Sequence, residues 1–575
     1  MRPAIITFTV SGAELAQRVA ALVDGVVHPC GPGGADARTL LSQLFRSNTP
    51  IIGICASGIL IRLLAPLLDD KHTEPPVLAV SADGRHVVPL LGGHHGANRM
   101  ARELAAALGG TAAITTASDA RFTRGLDEPP DGIVLSNPAG AKRAMAAALR
   151  GEPVAAAGET AWLHEAGYTV AAGPDPLVYI ARNLVAGVGC ERGADPSEVI
   201  ALIEHTLARA ALPSQSLAAI ATIDIKADEP ALHAAAAHFG VPLRLFTAEE
   251  LAAERDRLPN PSAVVEAETG TPGVAEAAAL KVGALAVEKQ KSRRATCAIG
   301  IAPSPLDPAT LGRAPGVLHL VGIGPGNVGQ RTASAVATLE TSSDWVGYGL
   351  YLDLISDLRH GQNEHRFPLG EETERVRHAL ELAAAGRTVA LVCSGDPQIY
   401  AMAALAMELL EGPSISAAAR RVALMVHPGI SAVQAASAAA GALIGHDFCC
   451  ISLSDLLTPR GTILQRLDAA ARGDFVTAFY NPRSGRRTEL INVARGIMLQ
   501  HRPLTTPVIV ARNLGRPDQQ VTVTTLADFD PSSVDMLTIV LVGASTSRVF
   551  QRGDGRFLAY TPRGYASKTT VEAAQ

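Results

Sequence analysis

Short apolar runs recur along the chain with amphipathic stretches between them, an alternation that predicts strands and helices stacked in α/β layers. Residues 4–10 alternate as a strand. Ser11 and Glu14 have the S-x-x-E spacing of a capping box, which predicts a helix running to Val23. Residues 51–56 read as a buried strand that Ser57-Gly58 turns into an apolar helix over 59–68. Strands follow at 77–80 and 87–91, and then G-G-H-H-G-A-N (Gly92 to Asn98) opens a helix over 99–108. Residues 131–176 mix Ala, Gly and Pro without a clear period and read as a small connecting subdomain.

A fresh α/β unit begins at Leu184. Its expected strands cover 184–188, 217–223, 243–246 and 297–301; Asp195-Pro196 with Glu198, and Thr247 with Glu250, mark helix starts. Residues 302–315 hold four prolines and read as a linker. From Val317 onward strands and helices alternate again, and four strands end in Gly/Pro-rich turns: G-I-G-P-G (322–326), S-G-D-P (394–397), H-P-G-I-S-A (427–432) and Y-N-P-R-S (480–484). The domain boundaries expected are 1–180, 181–303, a linker at 304–316, 317–552, and a tail at 553–575.

Composition narrows the function classes. A chain of 575 residues holds about three to four domains at roughly 100–200 residues each. Hydrophobic residues make up 47% and aromatic residues 4%, so Ala, Val, Leu and Ile must fill the cores. A net charge of −5 and a pI near 6.4 argue against a nucleic-acid-binding surface. The seven cysteines form no C-x-x-C pair and no Cys/His ligand spacing, so no metal site is expected and a reducing cytosol suits them. Residues 422–445 carry no charge apart from His427, yet Pro428-Gly429 interrupts them and Ala, Ser and Gln follow, too weakly apolar for a membrane span. The N-terminus is too short and strand-like to read as a secretory signal.

Glycines at a strand end let the backbone turn tightly and approach a ligand that a Cβ would block. G-I-G-P-G-N-V-G invites a dinucleotide reading, with Gly322 and Gly324 in place and Asp344 as the ribose partner twenty residues after Gly324. Asn327, however, stands where the third glycine belongs, and Asp344 enters a strand instead of capping its tip. Four such turns, each after an apolar strand, could converge on one cleft beyond the strands' carboxyl ends, suited to an adenosine and its amino-acid tail. No Walker lysine is present.

The order of these motifs resembles the tetrapyrrole methylases over about residues 317–552, and G-Y-G-L-Y (347–351) with V-G-A-S (542–545) is similar to precorrin-3B C17-methyltransferase or its cobalt counterpart. The resemblance implies S-adenosyl-L-methionine as cofactor, a two-domain α/β fold, methylation at C-17 with contraction of the macrocycle, and a homodimer formed through this domain. It places cofactor contacts at Gly324, Pro325, Gly326, Ser394, Gly395, Asp396, Ile399, Ser431, Ala432 and Asn481; Leu514 stands where the sirohaem branch has glycine. Ring contraction also needs a proton acceptor, for which Asp396 and Tyr480 are candidates. His427 reads either as a capped turn residue or as a catalytic one.

Before residue 302 the chain resembles cobalt-precorrin-5A hydrolase, through G-I-C-A-S-G-I-L-I-R (53–62), the histidine turn, G-V-G-C-E-R-G (187–193), I-D-I-K (223–226) and T-P-G-V-A-E-A-A-A-L (271–280). That family opens a δ-lactone and releases acetaldehyde, chemistry that asks for a base and for cations on the substrate's carboxylates. His94 or His95 is the expected base, Lys71 a catalytic cation, and Arg62, Arg192 and Lys226 further clamps. The whole reads as a cytoplasmic fusion enzyme acting on small corrinoids, with or without cobalt. The alternatives are a non-catalytic, corrinoid-binding first half and an NAD(P)-dependent oxidoreductase.

Overall fold

The computed structural model describes residues 2–31, 36–70, 73–115, 121–485 and 487–565 of the chain. They form two units, Met1–Gly312 and Arg313–Gln575, and both are α/β.

The first sheet of unit one runs in the order Val26–Pro29, Ala4–Thr7, Ile51–Ile54, Val77–Val80, His86–Leu91, Thr111–Ala112. Strand period decides its two faces: Ile5 and Ile52 pack beneath helices Ala13–Val23 and Ala97–Leu108, while Ile6 and Ile51 pack beneath Ala37–Arg46 and Ser57–Leu64. The capping box expected at Ser11 does not form. A 3-10 turn, Val10–Gly12, precedes the helix, Gly12 is the N-cap, and the Ser11 hydroxyl donates to Thr9.

Residues 131–176 fall within a second, four-stranded sheet, Ile133–Leu135, Leu177–Ala181, Val154–Gly158 and Val170–Ala171. Aromatic packing holds it: Trp162 stands edge-on to Tyr179, and Phe122 stacks on Tyr168. The third sheet runs Leu243–Phe246, Leu217–Ile223, Leu184–Cys190, Ala295–Ile301, Ala284–Lys291. Its last hairpin strand was absent from the sequence expectation. Asp195 caps the helix Pro196–Arg209, whereas Glu198 turns away to accept from Ser292 and the Arg294 amide; Thr247 and Glu250 do form a reciprocal box.

The proline-rich stretch expected as a linker is anchored along part of its length. Leu311 is buried in the third sheet's core, and the Arg244 guanidinium donates to the carbonyls of Ala309, Leu311 and Gly312.

Unit two opens with a fully parallel sheet, Asn363–Phe367, Asp344–Tyr348, Thr388–Cys393, Val317–Gly322, Ala423–His427. The small-residue helix Ala432–Ala440 leads to a second sheet, Phe448–Ser452, Val476–Tyr480, Thr538–Val542, Pro507–Arg512, Gln520–Thr525, in which only the first pair is parallel. The stretch expected as a tail from 553 instead supplies the strand Phe557–Tyr560, which pairs with Gly441–Ala442 and Arg548–Gln551 and buries Ala559. Among the described residues no helix is long and apolar enough to cross a membrane.

Candidate functional site

All four Gly/Pro-rich turns of unit two leave the carboxyl ends of strands, and three of them touch through backbone. Gly324 and Gly395 form an antiparallel bridge, with Gly395 N donating to Gly324 O at 2.8 Å and Gly324 N to Gly395 O at 3.2 Å. A Cβ on Gly322 would lie 2.6 Å from Gly395 O and 2.7 Å from Gly429 N, so none can be accommodated. Gly324, Gly326 and Gly395 also hold positive φ.

Asp396 locks this junction. One carboxylate oxygen accepts from Gln398 N at 2.8 Å and the other from Gly429 N at 3.2 Å, tying the second turn to the third. Ser431 caps the helix Ala432–Ala440 and is 2% exposed. Its hydroxyl lies 2.6 Å from the Tyr480 hydroxyl, which also accepts from Val433 N at 3.1 Å. Tyr480 therefore brings the fourth turn to the helix start. Asn481 follows in the left-handed region, a conformation Asn tolerates, and donates to Ser452 at 3.1 Å. The surface these turns share is made of backbone and small side chains, with Gly395, Ser431 and the Ala432 amide adjacent to one another.

Burial pushes the Tyr480 phenol up to about 12, against the pull of Ser431 and Val433. A phenol so held stays protonated near neutrality, and its hydroxyl ties Ser431 to the Val433 amide. The Tyr400 ring lies tilted to it with centroids 5.2 Å apart, with φ of +52° and its hydroxyl donating to Cys450 O at 2.7 Å. Sequence reasoning passed over Tyr400, because only the backbone angle marks it.

Asp344, the residue a dinucleotide would use, sits at the start of its strand and is 2% exposed. It accepts from Arg387 and Ser343 at 2.7 Å, from Asn363 at 3.2 Å, and contacts His365 at 3.1 Å. Burial raises its pKa, but these bonds prevail and hold it at about 2. No oxygen is left for a ribose, and the carboxyl end of the strand is the far end. His427 is also spoken for: its ring meets His319 at 3.0 Å and Ser334 at 2.9 Å, under the helix Ala333–Thr341.

In unit one, His94 and His95 lie on a 3-10 turn, Gly93–His95, between Gly92 and Gly96, both with positive φ. His95 is exposed; the His94 side chain and the whole of Lys71 lie outside the described residues. Arg62 donates to Gly58 O in its own helix. The expected clamps Arg192 and Lys226 converge instead on Glu229, which is 1% exposed, each at 3.7 Å, and Arg192 also meets Asp228 at 2.5 Å. Glu276 is equally buried and accepts from Asn260 and from Lys289 N, pinning the third sheet's hairpin.

Comparison with known proteins agrees with this division. Residues 39–119 and 184–300 match the families described as Cobalamin synthesis G N-terminal and Cobalamin synthesis G C-terminus, and residues 317–530 match Tetrapyrrole (Corrin/Porphyrin) Methylases. A precorrin-3B C(17)-methyltransferase from Sinorhizobium sp is 40% identical over 252 residues, 44% of this chain and 98% of that protein. The chain belongs to the tetrapyrrole methylase family. A cobalt-factor III methyltransferase from Priestia megaterium is 39% identical over 45% of this chain, which spans 47% of that relative. The crystal structure of the methyltransferase CobJ is 40% identical, with 43% of this chain and 100% of that one covered and a TM-score of 0.40.

In the methylase unit, Leu514 turns its side chain into the second sheet's core. The glycine that meets the G-I-G-P-G turn is its neighbour Gly515: a Cβ there would lie 2.8 Å from Asn327 N and 3.2 Å from the Pro325 ring.

Proposed function

We propose that the chain is a bifunctional enzyme of corrin synthesis. The methylase unit transfers a methyl group from S-adenosyl-L-methionine to C-17 of precorrin-3B or cobalt-factor III with ring contraction, and the first unit opens the δ-lactone of cobalt-precorrin-5A. The observation that carries this reading is the junction of Gly322, Gly395 and Gly429, which sets three turns of backbone and small side chains at one edge of the parallel sheet, with Tyr480 tying the fourth to the helix start beside them. Such a surface fits a nucleoside with an amino-acid tail. The bound cofactor would supply an already activated methyl group, so positioning dominates what the protein must add.

The ten expected contacts divide the work. Gly324, Pro325, Gly326, Gly395 and Ala432 would offer backbone; Ser394, Ile399 and Asn481 would border the adenosine. Asp396 and Ser431 hold the turns in register, and Tyr480 fixes the helix start against them. In the lactone reaction His94 or His95 would activate water, with Lys71 holding a substrate carboxylate. The proposal includes a cytoplasmic setting and dimerisation through the methylase unit, where Val549, Phe550 and Phe557 expose 39%, 49% and 52% of their surface on one hairpin; light scattering tests the latter.

Parallel incubations with cobalt-factor III, precorrin-3B and methyl-labelled S-adenosylmethionine test the first activity. Label is expected in one macrocycle, and label in neither would end the methylase reading. Acetaldehyde released from cobalt-precorrin-5A tests the second. His94→Ala/His95→Ala is expected to abolish it; unchanged release would remove both histidines from the mechanism.

A further inference from the structure

A buried charge needs a partner, so a buried cation that meets no carboxylate inside the protein points to an anion that arrives with a ligand. Arg375 is 3% exposed, in the first turns of the helix Glu372–Ala384. One Nη donates to Pro368 O at 2.8 Å, the other reaches the Met402 sulfur at 3.9 Å, and Nε has no partner. Among the described residues no carboxylate stands within ion-pairing distance of it.

Arg516 shares part of this pattern: the residue is partly exposed, but its Nε is buried and unpartnered, and its side chain lies against the glycine turn, with Cγ 3.1 Å from where a Gly326 Cβ would be. Tyr351 completes the group. Its ring is edge-on to Tyr348 at 5.3 Å. Burial raises its phenol while the nearby Arg516 and Arg375 guanidinium groups draw it back. All three residues stand where parallel strands end: Tyr351 follows Asp344–Tyr348, Arg375 bonds the residue after Asn363–Phe367, and Arg516 adjoins the turn after Val317–Gly322. That is the edge of an α/β sheet where ligands sit.

We propose that Arg375, Arg516 and Tyr351 form a carboxylate subsite beside the glycine turn, which seats an acidic side chain of the tetrapyrrole substrate. The inference rests on the methylase reading and deepens it. A carboxylate is also present on the cofactor's amino-acid tail. The substrate is favoured because Arg375 and Tyr351 follow one edge strand and its neighbour, whereas the expected cofactor contacts gather at Gly324, Gly395 and Ser431, at the central and opposite strands.

The test uses the full chain, with cobalt-factor III titrated by absorbance and S-adenosylhomocysteine by calorimetry. Arg516→Gln is expected to weaken cobalt-factor III about tenfold or more, and Tyr351→Phe about threefold, with S-adenosylhomocysteine binding unchanged. Arg375→Gln should weaken it further, but it also unseats Pro368, so the partly exposed Arg516 keeps the test independent of folding. Wild-type cobalt-factor III affinity in both Arg516→Gln and Tyr351→Phe would overturn the subsite. Loss of S-adenosylhomocysteine affinity instead would overturn the substrate assignment and give the carboxylate to the cofactor. Where the wild type binds only precorrin-3B, the same titrations use it; a wild-type protein that binds S-adenosylhomocysteine but neither macrocycle would bring down the tetrapyrrole reading itself.

Discussion

In the methylase unit Gly322, Gly395 and Gly429 meet backbone to backbone, whereas in unit one Gly92 and Gly96 flank two imidazoles. The first arrangement makes a surface out of main chain, and its geometry is fixed once three strands end together. The second carries side chains into position and depends on whatever else converges there. A backbone site is therefore complete in one local motif per strand. A side-chain site is only as complete as its tertiary partners, and in unit one Arg192 and Lys226 have gone to Glu229.

Alanine at the two kinds of turn should separate them most sharply. Gly322→Ala forces a Cβ within 2.6 Å of Gly395 O and 2.7 Å of Gly429 N, all rigid backbone. The expected cost is about 4 kcal/mol or more, with S-adenosylhomocysteine binding lost. Gly96→Ala meets nothing nearer than an Arg99 Nη at 3.6 Å, so only its φ of +89° is penalised, at about 1–2 kcal/mol. Thermal unfolding and calorimetry on both variants check this, and equal losses would erase the distinction.

Asp344 ranks next. Asp344→Ala removes a buried carboxylate and leaves its four partners, Arg387 and His365 among them, without it, an expected loss of about 2–4 kcal/mol. Cofactor affinity should survive, because the residue lies at the opposite end of its strand from the turns. A tenfold weaker S-adenosylhomocysteine complex in a folded Asp344→Ala protein would return this residue to the site. Since its carboxyl is held at about 2, below the ordinary 3.8, its stabilisation is present above pH 4 and lost as the pH falls towards 2.

The same contrast explains what could be read from the chain. Strands with strong apolar runs and the four glycine turns were legible, because a glycine at a strand end has a local meaning. Arg375 was not: within E-E-T-E-R-V-R-H it has the look of a solvated helix residue, and only tertiary packing buries it. Glu229 and Glu276 were hidden in the same way. Ser11 and Glu14 matched a capping spacing, yet an extra 3-10 turn moved the helix start past the serine. Leu514 and Gly515 show how a one-residue offset, invisible without register, relocates a close backbone approach.

Tyr480→Phe tests how far the backbone surface relies on a side chain. It removes the hydroxyl shared by Ser431 and the Val433 amide and leaves a helix N–H unpaired, for an expected loss of about 1–2 kcal/mol. Because burial pushes the phenol up to about 12, the pH dependence of methyl transfer between pH 7 and 10 should be the same in both proteins. A limb of that profile that vanishes in Tyr480→Phe would make Tyr480 an acid or base after all.

The smallest expected effect concerns two histidine pairs found in the methylase unit. His319 Nδ1 faces His427 Nε2 at 3.0 Å, and His378 Nε2 faces His365 Nδ1 at 2.9 Å, so one proton at most fits between each pair of nitrogens. Burial lowers the pKa of His319, with His427 adding to it; burial also lowers His427, and it lowers His378 with His365 reinforcing and Asp344 opposing. For a base lowered on folding, the unfolded chain binds the extra proton first. The stabilisation is therefore complete above about 6.5 and is lost as the pH falls through the lowered folded value. Calorimetry of the full chain from pH 7.5 to 5 should show the methylase transition moving down, by less than about 1 kcal/mol after solvent screening. His427→Gln should flatten that slope while leaving the transition of unit one where it was. If the slope is unchanged in His427→Gln, the pair does not set it, and the two units differ in their turns but not in their response to acid.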